Sequence, residues 1–356
     1  MGEKVLVALS GGVDSSVAAL CLVEEGYAVE GVTLRLYDSC GRPSKQACCG
    51  LEDAADAREV CRRLGIPHRL LEHQEAFRRL VIEPFAAAYA AGRTPNPCIL
   101  CNERVKFGTL FTYARERGFA YVATGHHARL VPGQGPPALC RGRDRAKDQS
   151  YVLFPLDGEC RRRTFFPVGD LLKEEVRERA RRAGLPTAGK RESQDVCFVG
   201  GEGYARFVEG VLGEASPAPG VVRHVDGRTL GGHRGIHHFT VGQRRGLGIP
   251  AAEPLYVVSL NPRGAEVVVG PRGALGVRRF RVEGWVAHEE PPDDEGEAWV
   301  QVRYRQAPRR ARLTRRGSAV VVEWAAGPAP VTPGQAAVAY RGDRVIGGGW
   351  IAGSEP

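Results

Sequence analysis

The chain has 356 residues, 43% of them apolar and 26% charged, with a net charge of +9 carried mainly by arginine. That length predicts two or three domains, and that apolar content excludes a largely disordered chain. No apolar run approaches a membrane span and Met1-Gly2-Glu3-Lys4 has no signal-peptide layout, so a cytoplasmic protein with no membrane partner is expected.

Lys4 to Leu9 is a short continuous apolar run, the pattern of a parallel strand buried on both faces. Helical spacing follows from Ser15 to Glu25 and is closed by Gly26. Val29 to Leu36 reads as a second strand and Leu51 to Leu64 as a helix. His68 to Leu71 and Tyr121 to Thr124 are further strands, separated by helical stretches such as Glu103 to Arg117. This alternation predicts an α/β fold with an N-terminal doubly wound parallel sheet over residues 1–202.

Beyond residue 203 the texture changes. Gly203 to Leu212 has helical spacing, after which Gly, Pro and short β-branched runs dominate. Leu255 to Leu260 and Ala265 to Gly270 flank Asn261-Pro262-Arg263-Gly264, a hairpin pattern. Ala298 to Arg305, Ala319 to Trp324 and Gln335 to Tyr340 read as strands, and the acidic stretch Glu289 to Glu297 as an exposed loop. A small central domain over 203–276 and a C-terminal β-barrel over 277–356 are expected.

Ser10-Gly11-Gly12-Val13-Asp14-Ser15-Ser16 lies where the first strand gives way to the first helix. Glycines let the backbone approach an anion, and the helix N-terminus aims amide donors at it. The loop has no Lys and so is not of the GxxxxGK[ST] type. It resembles the loop of the ATP pyrophosphatase (PP-loop, HUP-like) superfamily, which implies ATP as substrate with Mg²⁺ and release of pyrophosphate. Asp14 is either a Mg²⁺-side or orienting residue or a helix cap.

Thr94-Pro95-Asn96-Pro97-Cys98-Ile99-Leu100-Cys101-Asn102 is followed by Lys106-Phe107-Gly108. With Gly125-His126-His127-Ala128-Arg129, Lys147-Asp148-Gln149-Ser150-Tyr151 and Ser193-Gln194-Asp195-Val196-Cys197-Phe198, this chain resembles the tRNA-specific 2-thiouridylase family. The likeness runs on to Arg303-Tyr304-Arg305-Gln306 and Pro333-Gly334-Gln335. It implies an ATP-dependent tRNA-uridine 2-sulfurtransferase acting on the first anticodon position. The chemistry is coherent, because the C2 oxygen of uridine leaves poorly until AMP is transferred to it, after which a sulfur nucleophile can attack C2.

The resemblance implies that Cys197 carries a persulfide and that Cys101 is the second catalytic thiol, able to pair with Cys197 when the sulfur leaves. It places ATP against Ala8, Leu9, Ser10, Gly11, Gly12, Val13, Asp14, Ser15, Leu34 and Gly125. The target base is expected at Asn96, Pro97 and Cys98, and tRNA at His126, Lys147, Asp148, Gln149, Arg303, Tyr304 and Gln335. The implied partners are the anticodon stem-loop of Glu, Gln or Lys acceptor tRNAs and an upstream sulfur donor, either a cysteine desulfurase or a relay protein. The arginine surplus suits such a polyanion, although Arg305, Arg309, Arg310 and Arg312 read equally as a solvated charge run.

The family commonly has Asp where this chain has Cys98. Cys98, Cys101 and Cys197 are therefore also expected as three ligands of a 4Fe-4S cluster that delivers sulfide, as an alternative to the persulfide. A zinc knuckle is a third option. Cys21, Cys61, Cys140 and Cys160 read as buried thiols, while Cys40, Cys48 and Cys49 fall in a polar loop where the last two could ligate a metal. Two other functional readings stay open at this point. One is a different PP-loop enzyme, either amide-forming or a lysidine-type tRNA ligase. The other is a non-catalytic RNA-binding protein with a structural metal.

Overall fold

In the computed structural model, which describes residues 2–37, 51–191, 196–201, 203–289 and 296–355, the chain divides into two units. Cys40, Cys48 and Cys49 lie outside the described residues, as do Ser193, Gln194 and Asp195. The first unit comprises Met1–Val81, Cys98–Gly201 and Asp343–Val345; the second comprises Ile82–Pro97, Glu202–Gly342 and Ile346–Pro356.

The first unit is built on a parallel sheet. Its strands run in the order His68–Glu72, Ala28–Arg35, Lys4–Ala8, Tyr121–Thr124 and Thr164–Phe165. Lys4–Ala8 is central, and Val5, Leu6 and Val7 are fully buried. Each such side chain contributes about 1.5–3 kcal/mol relative to its exposed state, which is why the run carries no polar alternation. The helix Val13–Glu24 packs against Lys173–Arg182 through Val13, Val17, Val176 and Ala180. Ala19 and Leu22 of the same helix join Val5, Val7, Ala57 and Cys61 in a neighbouring core. Strand order reverses between Lys4–Ala8 and Tyr121–Thr124, and the crevice beyond strand C-termini at such a reversal is where doubly wound sheets hold ligands.

Two features of this unit depart from expectation. The single helix predicted over Glu103 to Arg117 is a π-helix, Cys101–Phe107, continued by the α-helix Gly108–Glu116. Ala128–Val131 and Ala138–Arg141 form an antiparallel hairpin that no sequence pattern announced, with Arg344 paired to Cys140 at its edge.

In the second unit, helices Glu83–Ala90 and Tyr204–Leu212 meet through stacked Tyr89 and Tyr204, 4.9 Å apart. A four-stranded sheet has the order Tyr256–Asn261, Glu266–Gly270, Gly220–His224 and Thr229–His233; its first two strands are the expected hairpin. A closed antiparallel barrel follows, in the order Arg279–Ala287, Ala319–Trp324, Arg309–Arg316, Gly296–Gln301, Ala336–Arg341 and Arg344–Ser354. Arg279–Ala287 pairs with Arg344–Ser354 to close it. Its core is filled by Phe280, Val300, Leu313, Val322, Trp324 and Ile351. The strand expected over Ala298 to Arg305 ends at Gln301; Arg303 to Gln306 form a turn in which Arg305 has φ 65°. Glu297, expected in a loop, lies in the strand Gly296–Gln301, and residues 290–295 fall outside the described ones. Among the described residues, no helix is long and apolar enough to cross a membrane.

Candidate active site

A cavity of about 200 Å³ opens at the sheet reversal of the first unit, lined by Ala8, Leu9, Ser10, Asp14, Ser15, Val32, Thr33, Leu34, Leu36, Lys106, Thr124, Gly125, His126 and Gln149. The phosphate loop forms one wall. Gly11 turns it with φ 69°, and a Cβ there would meet Asp53 O at 2.4 Å, so only glycine fits. Gly12 opens the helix, and its carbonyl accepts from Ser15 Oγ at 3.0 Å and Ser16 Oγ at 2.9 Å. Ser15 Oγ also accepts from the Ser10 backbone N–H at 3.2 Å, which braces the loop across its mouth. The loop thus presents the N-terminus of a twelve-residue helix to the cavity.

Asp14 is engaged inside this wall. Lys173 Nζ donates to its two oxygens at 2.7 and 2.6 Å, and His127 Nε2 lies 3.1 Å away. Burial pushes the Asp14 carboxyl upward, yet the His127 hydrogen bond and the Lys173 charge hold it below the usual carboxylate range. Of the expected roles, orientation fits this geometry better than metal ligation, because both oxygens are already satisfied by an ammonium. Lys173 was not among the expected site residues.

Gly125 abuts the loop as well. A Cβ on it would lie 2.4 Å from Ser15 N and 2.6 Å from Asp14 C, so its bareness serves the approach of strand end to helix start. Leu34 lines the cavity with Val32 and Leu36, giving the apolar side that a purine face requires. Val13, by contrast, turns into the core.

His126 was expected against tRNA; it is instead 8% exposed in the cavity wall. Its ring packs against both Phe107 and Phe166, and its Nδ1 is 2.7 Å from Thr124 Oγ1. Burial, aided by the charge of Lys106, pushes its pKa down to about 3, so the ring is neutral at physiological pH. Gln149 also lines the cavity, zipped to His127 by two 2.9 Å hydrogen bonds. Asp148 accepts from Gly142 N, Ser150 N and Ser150 Oγ, which makes it a turn-former. Lys147 beside it is half-exposed.

The two expected catalytic cysteines both belong to the first unit. Cys101 is buried at the first position of the π-helix, where Ile99, Asn102, Val105 and Phe107 anchor the backbone and Asn102 Nδ2 donates to Val152 O at 3.2 Å. Lys106 sits five residues on. In a helix closed by i to i+5 bonds, that spacing keeps Cys101 and Lys106 on one face. Lys106 carries the cationic contribution to the cavity wall. The sequence pattern contains it in Lys106-Phe107-Gly108, but the face it takes is a tertiary fact. Cys197 is half-buried; Phe198 next to it is buried against Phe77 with ring centroids 5.6 Å apart. Cys98 is exposed on the helical turn Pro97–Leu100. Among the described residues, the His, Cys, Asp and Glu ligand atoms near enough in threes to share one ion are not these cysteines. Cys61 and Cys160 are pushed up to about 12, chiefly by burial, and Cys21 is raised for the same reason, as befits inert thiols. Cys160 is only half-buried, less than expected; Asp157 beside it adds to the shift.

The remaining expected residues lie in the second unit. Asn96 is half-exposed and Pro97 buried. Gln335, expected on tRNA, is 8% exposed and its amide donates to Thr94 O at 2.8 Å, while Thr94 N donates to Pro333 O at 2.9 Å. Gln335 therefore holds the segment leading into Asn96. Arg303 is exposed with Nη2 donating to Thr332 Oγ1 at 3.0 Å, and Tyr304 lies under the Arg305 guanidinium, 5.5 Å from its carbon. Of the basic strip, Arg310 pairs with Glu297 at 2.5 Å and Arg309 sits 5.3 Å over the Trp324 ring.

Three family models match in succession: a tRNA methyl transferase HUP domain over residues 3–201, a tRNA methyl transferase PRC-barrel domain over 205–271 and an aminomethyltransferase beta-barrel domain over 277–351. Among curated proteins, the tRNA-specific 2-thiouridylase MnmA of Parvibaculum lavamentivorans is 47% identical over 365 residues, covering 99% of this chain and 91% of that protein. Proteins of the same description from Acidithiobacillus ferrooxidans and Chloroflexus aurantiacus are 45% and 46% identical, with 99% of both partners covered in each case. Among solved structures, a 4-thiouridine synthetase–RNA complex with bound ATP is a distant likeness, with TM-score 0.38, 20% identity, and 55% of this chain and 45% of that one covered.

Proposed function

From the premise that this chain belongs to the tRNA-specific 2-thiouridylase family, we propose that it carries out ATP-dependent 2-thiolation of a tRNA uridine, at the first anticodon position. The observation that carries the reading is a glycine-turned phosphate loop and a lysine in the wall of one cavity, with Cys101 at the head of the helix that supplies the lysine.

ATP enters with its phosphates on the amides and hydroxyls of Ser10 to Ser16 and its base along Val32, Leu34 and Leu36. Mg²⁺ bound with the phosphates would neutralise charge there, while Asp14, committed to Lys173 and His127, sets the loop. The uridine, unstacked from the anticodon loop, lies against Asn96, Pro97 and Cys98. Its O2 attacks the α-phosphorus and pyrophosphate departs. Lys106 stabilises the charge that develops on the phosphoryl oxygens. The terminal sulfur of a Cys197 persulfide then attacks C2, and AMP leaves. Cys101 thiolate attacks the Cys197 sulfur, so the S–S bond to the base breaks, 2-thiouridine is released and a Cys101–Cys197 disulfide forms. Two electrons from an external reductant and a new sulfur from an upstream donor, a cysteine desulfurase or a relay protein, restore the enzyme.

A second route for the sulfur rests on the sequence alone. Cys98 stands where the family commonly has Asp, which gives three cysteines for a 4Fe-4S cluster that would supply sulfide when bound. Arg303, Tyr304 and Lys147 are proposed to meet the anticodon stem-loop of Glu, Gln or Lys acceptors. The domain limits proposed are 1–202, 203–276 and 277–356.

The test is mass spectrometry of tRNA treated with wild type, Cys98→Ala, Cys101→Ala and Cys197→Ala, with the protein prepared both in air and anaerobically. Loss of 2-thiouridine in Cys101→Ala and Cys197→Ala is expected. Normal product from Cys197→Ala would overturn the catalytic roles. Activity that requires iron and Cys98 selects the cluster route; activity of an iron-free protein selects the persulfide.

A further inference from the structure

Outside the thiolation machinery, the second unit gathers three side chains that can hold an ion. Glu209 projects from the helix Tyr204–Leu212; His237 and His238 come from the 3₁₀ turn Ile236–His238. His237 Nε2 is 3.1 Å and His238 Nε2 is 3.0 Å from the same oxygen, Glu209 Oε1, and one ligand atom from each residue lies within 4.8 Å of the others. The two rings are 4.4 Å apart.

An ordinary hydrogen-bonded cluster accounts for only part of this. A carboxylate oxygen can accept from two neutral imidazoles, and His237 Nε2 does have hydrogen-bond geometry. His238 Nε2, buried and 3.0 Å from the same oxygen, is aimed less well at it. His237 is 1% exposed, and its Nδ1 lacks a partner. A buried nitrogen at bonding distance but off the bonding axis is a costly arrangement in an otherwise packed unit. It is the arrangement expected when two atoms are neighbours because both face a third. Ligands on a tetrahedral zinc at bonds of about 2.0–2.1 Å stand about 3.3 Å apart, close to the two His–Glu spacings. The backbone is held for this as well, since Tyr204 Oη donates to His238 O at 3.0 Å.

We propose that Glu209, His237 and His238 form a divalent transition-metal site, suited to Zn²⁺, that pins the 236–238 turn to the 204–212 helix. Two imidazoles and one carboxylate are a borderline N/O set, which favours Zn²⁺ over Mg²⁺ or Ca²⁺ and leaves one position for water. The thiolation chemistry does not require this ion, so the inference stands or falls separately from it.

Cobalt distinguishes this site from the cysteines, because thiolate ligands add intense charge-transfer absorption that N/O ligands lack. The full chain is stripped with chelator and titrated with Co²⁺ and then Zn²⁺. Four proteins are compared: wild type, Glu209→Gln, His238→Ala, and the triple variant Cys98→Ser/Cys101→Ser/Cys197→Ser. The triple variant should bind one equivalent with d–d bands and no thiolate absorption, and Zn²⁺ should displace the cobalt and raise the melting temperature. Glu209→Gln and His238→Ala, both at partly exposed positions, should weaken that binding at least tenfold and lose the Zn²⁺-dependent thermal shift. Absence of a thiolate-free equivalent in the triple variant, or binding unaltered by Glu209→Gln and His238→Ala, would overturn the site.

Discussion

Gly125→Ala tests whether the phosphate loop is positioned by the strand end beside it. The added Cβ would sit 2.4 Å from Ser15 N, 2.6 Å from Asp14 C and 2.7 Å from Ser15 Cα. Carbon contacts are comfortable at about 3.5–4.0 Å, so the helix start must retreat by about 1 Å. All three atoms are backbone, and no rotamer change can relieve the contact. Overpacking of this kind costs about 1–3 kcal/mol of stability. A displacement of about 1 Å in reacting groups costs about 100-fold in rate. Pyrophosphate release measured against ATP concentration at saturating tRNA should therefore show kcat/KM for ATP reduced about 100-fold. Urea unfolding should show a loss of about 3 kcal/mol or less, and tRNA affinity should be unchanged. Gly133→Ala, where a Cβ meets nothing within 4 Å, serves as the control. ATP kinetics for Gly125→Ala within twofold of wild type, in a folded protein, would refute the idea that this contact sets the loop.

Lys106→Met should lower kcat about 100- to 1000-fold with a smaller change in KM for ATP, if the ammonium acts on developing phosphoryl charge; single-turnover AMP formation measures this. Lys173→Met should destabilise the first unit by about 1–3 kcal/mol, because it leaves the half-buried Asp14 with one partner, and Asp14→Asn in that background should recover part of the loss in urea unfolding. The Asp14 carboxyl is depressed in the folded state, so its contribution is present above the ordinary value of 3.8 and disappears as pH falls through the lower folded value. His126 behaves differently in pH. Its folded pKa of about 3 lies below the ordinary 6.5, so the unfolded chain takes up a proton first as pH falls. Stability should drop by about 1.4 kcal/mol per pH unit between those two values. Urea midpoints from pH 8 to pH 5 should show this slope in wild type and a shallower one in His126→Phe.

The parts of the fold most legible in the sequence were those where one local rule sufficed. Val5, Leu6 and Val7 are buried on both sheet faces and so form an unbroken apolar run; the glycines and serines of residues 10–16 announce a turn feeding a helix. The same motifs were poor guides to which way a side chain faces. His126 and Gln335 sit inside motifs shared with an RNA-modifying family, yet both are 8% exposed, one in the cavity wall and one holding Thr94. The π-helix from Cys101 to Phe107 was invisible for a related reason. Its composition is that of an α-helix, and the extra residue in the turn is dictated by burial of Cys101, Asn102, Val105 and Phe107 together. The early end of the strand at Gln301 likewise depends on Arg305 taking a left-handed conformation that β-propensity does not foresee.

Lys190 and Gly11 meet at the same acidic residue. Lys190 Nζ donates to Asp53 Oδ1 at 2.6 Å and to Asp56 Oδ2 at 2.5 Å, and a Cβ on Gly11 would run into the Asp53 carbonyl. One helix end therefore anchors both the loop that receives phosphate and the chain seven residues ahead of Cys197. In evolutionary terms the two segments share a tether and cannot drift independently. A substitution at Lys190 has to be tolerated by Asp53, and a change at Asp53 is felt at the phosphate loop. Exchange of the segments around Cys197 between relatives should accordingly succeed only when the start of the 51–64 helix travels with them.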